Sequence, residues 1–226
     1  MNLVSVISQL LISPTFPIAS YMMVKMLIFD RQIDHEKEMN RQAKVILSFI
    51  WGISLIVNYF ILIINRNILF SASGLSIIFV TSMIAYSDVL AGRIPAFILV
   101  LSIIAGAFIG ELGSGLGAHI LSGVINIILG ILMFYGGQRY LQKKTVDEVE
   151  QHAFGWGDVY ASGSLGFLLG VPIGLVSFLL ALVLAIIGVF ITSTVTKQRM
   201  FLKSRVRLGI YFFISAAMAT LYKYVV

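Results

Sequence analysis

The sequence predicts an all-α membrane protein, a polytopic bundle of about eight transmembrane helices. Hydrophobic residues make up 59% of the 226 residues and charged residues only 12%, with a mean hydropathy of +0.99. This composition is far more apolar than that of a soluble domain. Several apolar runs approach the roughly 20 residues that a spanning helix needs, and short polar segments separate them. Because little sequence remains for a soluble domain, we expect one transmembrane domain over residues 1–226.

The apolar runs define eight candidate spans. They cover residues 4–29, 45–64, 69–88, 95–112, 117–137, 158–173, 175–195 and 208–226. The first run has neither a basic N-terminal region nor a small-residue cleavage site. We therefore expect a retained helix, kinked at Pro14 and Pro17, rather than a signal peptide.

The basic residues predict the orientation of the bundle. If the N-terminus lies outside, the inner segments are 30–44, 89–94, 138–157 and 196–207. These segments hold most of the 16 basic residues, namely Arg31, Lys37, Arg41, Lys44, Arg93, Arg139, Lys143, Lys144, Lys197, Arg199, Lys203, Arg205 and Arg207. An excess of lysine and arginine marks cytoplasmic loops, so we expect an N-out, C-out topology. The cluster KQRMFLKSRVR is expected to contact anionic lipid.

Composition also excludes several kinds of site. The chain has no cysteine, which rules out disulfides, thiolate metal sites and a cysteine nucleophile. The histidines His35, His119 and His152 are scattered, so no metal site is expected. The formal net charge of +6 is explained by the topology, and no soluble basic face remains for nucleic acid.

Two of the ten acidic residues are not explained by solvated loops. Asp88, in SMIAYSDVLAGRIP, and Asp158, in GWGDVYASGSLG, lie at the ends of apolar spans. Carboxylates at such positions mark functional sites by default, and the alternation of the helices places both at the inner face. The other eight lie in predicted loops or turns: Asp30, Asp34, Glu36, Glu38, Glu111, Asp147, Glu148 and Glu150.

Helical spacing suggests that the two aspartates can approach each other. A stripe of small residues follows Asp158, at Ser162, Gly166 and Gly170. Such stripes allow close helix packing in membranes, and we expect the apolar helix of a substrate to pack here. The alternative is a structural one, since these stripes are common and an acid in a first turn stabilises its helix.

A close pair of carboxyl groups suits peptide hydrolysis. The two groups share a proton, so the neutral one can donate to a carbonyl while the ionised one activates water. Gly155 and Gly157 are expected to allow a backbone path closed to other residues and to leave room for an extended substrate. Gly92 and Pro95 are expected to close the turn after Asp88 and to start the next helix.

These residues resemble the prepilin peptidase family, membrane aspartic proteases of the G-x-G-D type that include archaeal preflagellin peptidases. Asp88 followed by Ile94-Pro95 resembles the first aspartate motif, and Gly155-Trp156-Gly157-Asp158 resembles the second. IASYMMVKMLIFDR and VRLGIYFFISAAMA resemble the first and last helices of the family.

The resemblance implies a specific activity. It implies removal of a short basic leader from pilin-like precursors, on the cytoplasmic side of the cell membrane, just before a hydrophobic helix. It also implies Asp88 and Asp158 as catalytic residues, with no cofactor for proteolysis.

Three departures from the family pattern affect the expectation. DRQIDHEKEMNRQAK stands where larger members carry a cysteine-containing loop, which fits a short form. It puts in doubt the second activity of the family, N-methylation with S-adenosylmethionine. Tyr160 stands where the family usually has lysine, and Ala96 where it usually has asparagine. Both leave open an altered substrate preference or a weakened enzyme.

Other interpretations remain open from sequence alone. A transporter or proton channel could use paired acids, although it would place them nearer the bilayer midplane. An inactive scaffold for pilus or secretion assembly is a second alternative. Near Asp158, His152 is expected to be a solvated loop residue, Trp156 an interfacial anchor, and Tyr160 a packing residue rather than a donor to the aspartates.

Overall fold

The described part of the chain is entirely helical. The structure, a computed structural model, describes residues 15–29, 41–64, 68–142, 154–196 and 207–225, and no strand occurs in these ranges. The helices are α1 (Thr15–Phe29), α2 (Arg41–Ile64), α3 (Ile68–Ala91), α4 (Ala96–Ile109), α5 (Leu116–Gln142), α6 (Trp156–Leu169), α7 (Ile173–Thr196) and α8 (Leu208–Val225). A π-helical turn, Gly110–Ser114, follows α4. The predicted all-α class is confirmed.

Five stretches of the described helices are long and apolar enough to cross a membrane. They are Ala43–Ile64, Leu69–Ala91, Ala96–Gly113, Leu116–Arg139 and Ile173–Ile191. Each corresponds to one of the predicted spans. The total of eight spans and the N-out, C-out topology stay predictions, and most of the predicted inner segments lie outside the described residues.

One predicted helix end differs from the structure, and the kink predicted at Pro14 and Pro17 stays a prediction. The span predicted at 158–173 ends earlier, because Gly170 has a φ of 72° and Val171 and Pro172 form a turn. Pro17 lies in the first turn of the described α1, where proline is tolerated. Pro14 and the rest of residues 1–14 lie outside the described residues.

The outer surface of the bundle is apolar. Large side chains on different helices are exposed, such as Trp51 on α2, Ile104 on α4, Leu132 on α5 and Phe190 on α7. An apolar exterior of this extent fits contact with lipid tails rather than water. Together with the five long apolar helices, it indicates a multi-pass membrane protein.

The two helices that carry the aspartates are the most enclosed. In α3, 72% of the 18-residue apolar stretch is buried, against 28% in each of the other four stretches. Helix α3 contacts α1, α2, α4, α6 and α8. Helix α6 is buried at every residue from Ala161 to Leu169, and it packs mainly on α5 and α4. Its 14 residues span about 21 Å, less than the roughly 30 Å of a hydrocarbon core.

Candidate active site

Asp88 lies three residues before the end of α3 and is held by α8. Its side chain is 4% exposed, and its Oδ2 accepts a hydrogen bond of 2.8 Å from the backbone N–H of Gly209. Gly209 is the second residue of α8, where the helix dipole favours a negative charge. A Cβ atom at position 209 would lie 2.7 Å from Asp88 Cβ and 3.0 Å from the Ile84 carbonyl oxygen. Only glycine therefore lets the backbone of α8 come this close.

The end of α3 is fixed by two further hydrogen bonds. The N–H of Gly92 donates to the carbonyl of Asp88 at 3.0 Å, and the φ of 64° at Gly92 turns the chain out of the helix. Arg207 Nη1 donates to the carbonyl of Val89 at 2.7 Å, which joins α3 to the segment before α8. Pro95 directly precedes α4, in extended conformation. Gly92 and Pro95 thus stand where the predicted turn requires them.

Asp158 lies in the first turn of α6 and is held by its own chain. Its side chain is 9% exposed, and its Oδ2 accepts a hydrogen bond of 2.8 Å from the N–H of Gly155. In return the N–H of Asp158 donates to the carbonyl of Gly155 at 3.0 Å. The bond from Gly155 to the Asp158 side chain is the acidic half of a capping box. It satisfies a backbone N–H that the start of the helix would otherwise leave unpaired.

The first motif, residues 88–95, and the second motif, residues 155–158, meet at one end of the bundle. A Cβ atom at Gly157 would lie 2.9 Å from the backbone nitrogen of Ile94, so the two backbones touch. Helices α3 and α6 are also in contact. Since Gly209 binds Asp88, the start of α8 belongs to the same end.

The roles predicted for Gly155 and Gly157 need correction. Gly155 has φ and ψ of −97° and 166°, an extended conformation that any residue can adopt. Gly157 lies within α6. Its missing side chain makes room for Ile94 of the first motif, rather than for a substrate strand.

The small-residue stripe on α6 also has a different role from the predicted one. Ser162 Oγ donates to the carbonyl of Asn126 on α5 at 3.0 Å, and a Cβ atom at Gly166 would lie 2.7 Å from the Cα of Gly123. Gly170, with positive φ, ends the helix beside His119. Ser162, Gly166 and Gly170 are buried against α5, which corrects the expectation that they receive a substrate helix.

Aromatic residues cover the outer side of the second motif. Trp156 is 48% exposed, and its ring packs against Phe134 at 4.9 Å and Tyr160 at 6.4 Å between centroids. Tyr160 thus packs against Trp156, and whether its hydroxyl donates to the aspartates is not decided by this contact. Arg93 is exposed in the first motif, and His152 lies outside the described residues.

Sequence reasoning missed Gly209 and Arg207 as supports of the first motif. Both are far from Asp88 along the chain, 121 residues in the case of Gly209, and no local pattern links them to it. Among the described residues, no three histidine, aspartate or glutamate side chains are placed to hold a metal ion.

The fold and this site define a class of protein, a multi-pass helical membrane protein with two buried aspartates whose motifs meet at one end. The family description "Type IV leader peptidase family" matches residues 75–190, slightly more than half of the chain, and this range contains both aspartates. The chain belongs to that family and is a peptidase, which confirms the resemblance seen in the sequence. Comparison with curated proteins and with solved structures found no match.

Proposed function

We propose that the protein is an aspartic endopeptidase that removes the leader peptide of pilin-like precursors at the cytoplasmic face of the cell membrane. Asp88 and Asp158 are its catalytic residues. The observation that carries the proposal is the contact between the two aspartate motifs, inside the range that matches a leader peptidase family. Membership of this family favours a peptidase over a transporter, a proton channel or an inactive scaffold.

A backbone N–H group orients each of the two carboxyl groups. One oxygen of each accepts a backbone N–H at 2.8 Å, from Gly209 or from Gly155. Backbone groups move less than side chains, so these hydrogen bonds help to fix the direction of each carboxyl. Orientation of this kind contributes a large part of the rate in enzymes that hold a reactant in place.

The proposed reaction needs one water molecule and one shared proton. The ionised carboxyl takes a proton from water, whose oxygen attacks the carbonyl carbon of the scissile bond, while the protonated carboxyl donates to the carbonyl oxygen. The tetrahedral intermediate then collapses and the C–N bond breaks. The leaving amine takes up the proton that the first carboxyl removed from water, and a hydroxyl of the intermediate returns a proton to the second carboxyl. The proton belongs to the pair, so neither aspartate is assigned as acid or base.

The proposed substrate fits the predicted orientation of the bundle. A precursor whose hydrophobic N-terminal helix lies in the membrane would present its leader at the end where the two motifs meet. The proteolytic step uses no cofactor in this proposal. S-adenosylmethionine would enter only if the second activity of the family were retained, which the short segment 30–40 argues against.

The first test is cleavage of a pilin-like precursor co-expressed with the protein. Leader removal is followed by mass for the wild type, Asp88→Asn and Asp158→Asn, with Glu111→Gln as a matched control on the exposed π-helical turn. Each Asp→Asn change should reduce cleavage by about 100-fold or more while insertion is unchanged. Cleavage that survives either change would contradict the proposal that Asp88 and Asp158 are both catalytic. A wild type that cleaves no precursor from its own genome would favour a scaffold or transporter.

A second test determines on which face of the membrane the two aspartate motifs lie. The chain has no cysteine, so single cysteines report position without background. Arg93→Cys lies in the first motif, and Gly113→Cys lies in an exposed turn with open space around it. In intact cells a membrane-impermeant thiol reagent should label only Gly113→Cys. Labelling of Arg93→Cys instead would place the site outside.

A further inference from the structure

Arg207 lies directly before α8 and reaches the end of α3, the helix that carries Asp88. Its Nη1 donates a hydrogen bond of 2.7 Å to the backbone carbonyl of Val89, the residue after Asp88. We infer that Arg207 is a positioning residue for Asp88. It holds the start of α8 against the end of α3 and so keeps the N–H of Gly209 on the Asp88 carboxyl group. This inference rests on the proposed function, because it concerns the same aspartate.

The carbonyl that Arg207 binds belongs to the last turn of α3. The helix ends at Ala91, and the last four carbonyl groups of a helix have no N–H partner within the helix. A guanidinium group at one of them forms a charge-assisted hydrogen bond and puts a positive charge at the negative end of the helix dipole. The bond from Arg207 is therefore stronger than one between two neutral groups.

Two hydrogen bonds join the start of α8 to neighbouring residues of α3. Gly209 donates to the Asp88 side chain at 2.8 Å, and Arg207 donates to the backbone of Val89. The first bond ends on a side chain, which can rotate, whereas the second ends on a backbone atom that the helix holds in place. Without Arg207 the start of α8 could move together with the Asp88 carboxyl, so the direction of that carboxyl relative to α3 would no longer be fixed.

The distance between the two helices is limited from both sides. A Cβ atom at position 209 would lie 2.7 Å from Asp88 Cβ, so the backbone of α8 lies as close as glycine permits. This contact resists further approach but does not resist separation. The hydrogen bond from Arg207 resists separation, and a gap of a few tenths of an ångström would already lengthen the bond from Gly209 to Asp88.

The charge of Arg207 alone offers a second explanation. Arg207 is the last basic residue of the cluster KQRMFLKSRVR, which is predicted to lie at the inner face and to contact anionic lipid. A charge that acts only on topology or on lipid needs no defined protein partner, whereas Nη1 of Arg207 binds one backbone carbonyl at 2.7 Å. The two explanations predict different results when the hydrogen bond is removed.

Hydrogen exchange of the purified full-length protein tests the contact without cleavage. Arg207→Met removes the donors and the charge, and Arg139→Met is the matched control, because Arg139 is an exposed arginine in the last turn of α5. Arg207→Met should speed exchange in the peptide that contains Gly209 about tenfold, with no change in α5 or α7. Arg207→Lys, which keeps one donor, should restore most of the protection. Unchanged exchange at Gly209, or faster exchange throughout the bundle, would overturn the inference.

Cleavage of a synthetic precursor peptide tests the effect on Asp88. Arg207→Met should lower kcat about tenfold and leave KM unchanged, and Arg139→Met should change neither. A raised KM with normal kcat would overturn the inference and assign Arg207 to substrate binding. Adding Arg207→Met to Gly209→Ala should cause no further loss, because both changes disturb the same contact. Losses that multiply would show two independent contacts and would also overturn the inference.

The two measurements separate this inference from the proposed function. If the wild type cleaves no precursor while Arg207→Met still speeds exchange at Gly209, the proposed function fails and the contact with α8 stands. If the wild type cleaves, Asp88→Asn does not, and neither measurement responds to Arg207→Met, only the inference about Arg207 fails.

Discussion

The two aspartates are held in opposite ways. Asp158 takes its hydrogen bond from Gly155, three residues away, within the first turn of its own helix. Asp88 takes its hydrogen bond from Gly209, 121 residues away, at the start of another helix. The hydrogen bond in the second motif thus lies within four consecutive residues, whereas the hydrogen bond to the first motif forms only when α3 and α8 pack together.

Each arrangement depends on a glycine, but the glycines act on different atoms. Gly209 leaves space for Asp88 itself. Gly157 leaves space for the backbone of Ile94 and so keeps the two motifs in contact. A methyl group at position 209 would therefore displace the carboxyl group of Asp88 directly, and one at position 157 would only separate the motifs.

The largest effect is expected for Gly209→Ala. The new methyl carbon would lie 2.7 Å from Asp88 Cβ and 3.0 Å from the carbonyl oxygen of Ile84, so either α8 or Asp88 must move. A shift of about 1 Å should reduce leader cleavage about 100-fold, measured by mass with a co-expressed precursor.

The matched control for this change is Gly136→Ala on α5, where a methyl group meets no atom within 4 Å. In a helix that substitution favours stability by about 0.5–1 kcal/mol, and it should leave cleavage unchanged. Full activity of Gly209→Ala would show that the contact with α8 is not needed to orient Asp88.

A smaller effect is expected for Gly157→Ala. Its methyl carbon would lie 2.9 Å from the nitrogen of Ile94, while the hydrogen bond between Gly155 and Asp158 stays intact. We expect about a tenfold loss of cleavage, because Asp158 keeps its direction but lies further from the first motif.

Gly117→Ala, another glycine with open space around it, is the control for the second motif. If the support from α8 is more important than the contact between the motifs, Gly209→Ala must reduce leader cleavage more than Gly157→Ala does. An equal or larger loss for Gly157→Ala would mean that the contact between motifs matters more than the support from α8.

The sequence predicts the helices well and their packing poorly. Five long apolar runs correspond to five long helices. In a membrane an apolar run of spanning length must pair its own backbone hydrogen-bonding groups, and a helix does this. The end of α6 was missed, because a glycine and a proline in an apolar run do not by themselves mark a stop. Here Gly170 adopts a positive φ, and the helix ends at Leu169.

For the site, local chemistry could be predicted and distant contacts could not. Both aspartates were found by eliminating the other acids, since each stands at the edge of an apolar span. The role of the stripe at Ser162 and Gly166 was mistaken, because small residues look the same whether they pack on a neighbour or on a substrate. The contacts of Gly209 and Arg207 depend on which helices are neighbours, and one sequence does not contain that information.

The shortness of α6 has a consequence for how the protein responds to different membranes. Helices that face lipid adjust to a thicker or thinner bilayer by tilting. Helix α6 is enclosed by protein from Ala161 to Leu169, so this part of the helix has no lipid boundary to match. The depth of Asp158 is set by its neighbours α4 and α5, and hydrophobic mismatch can reach it only by moving those helices.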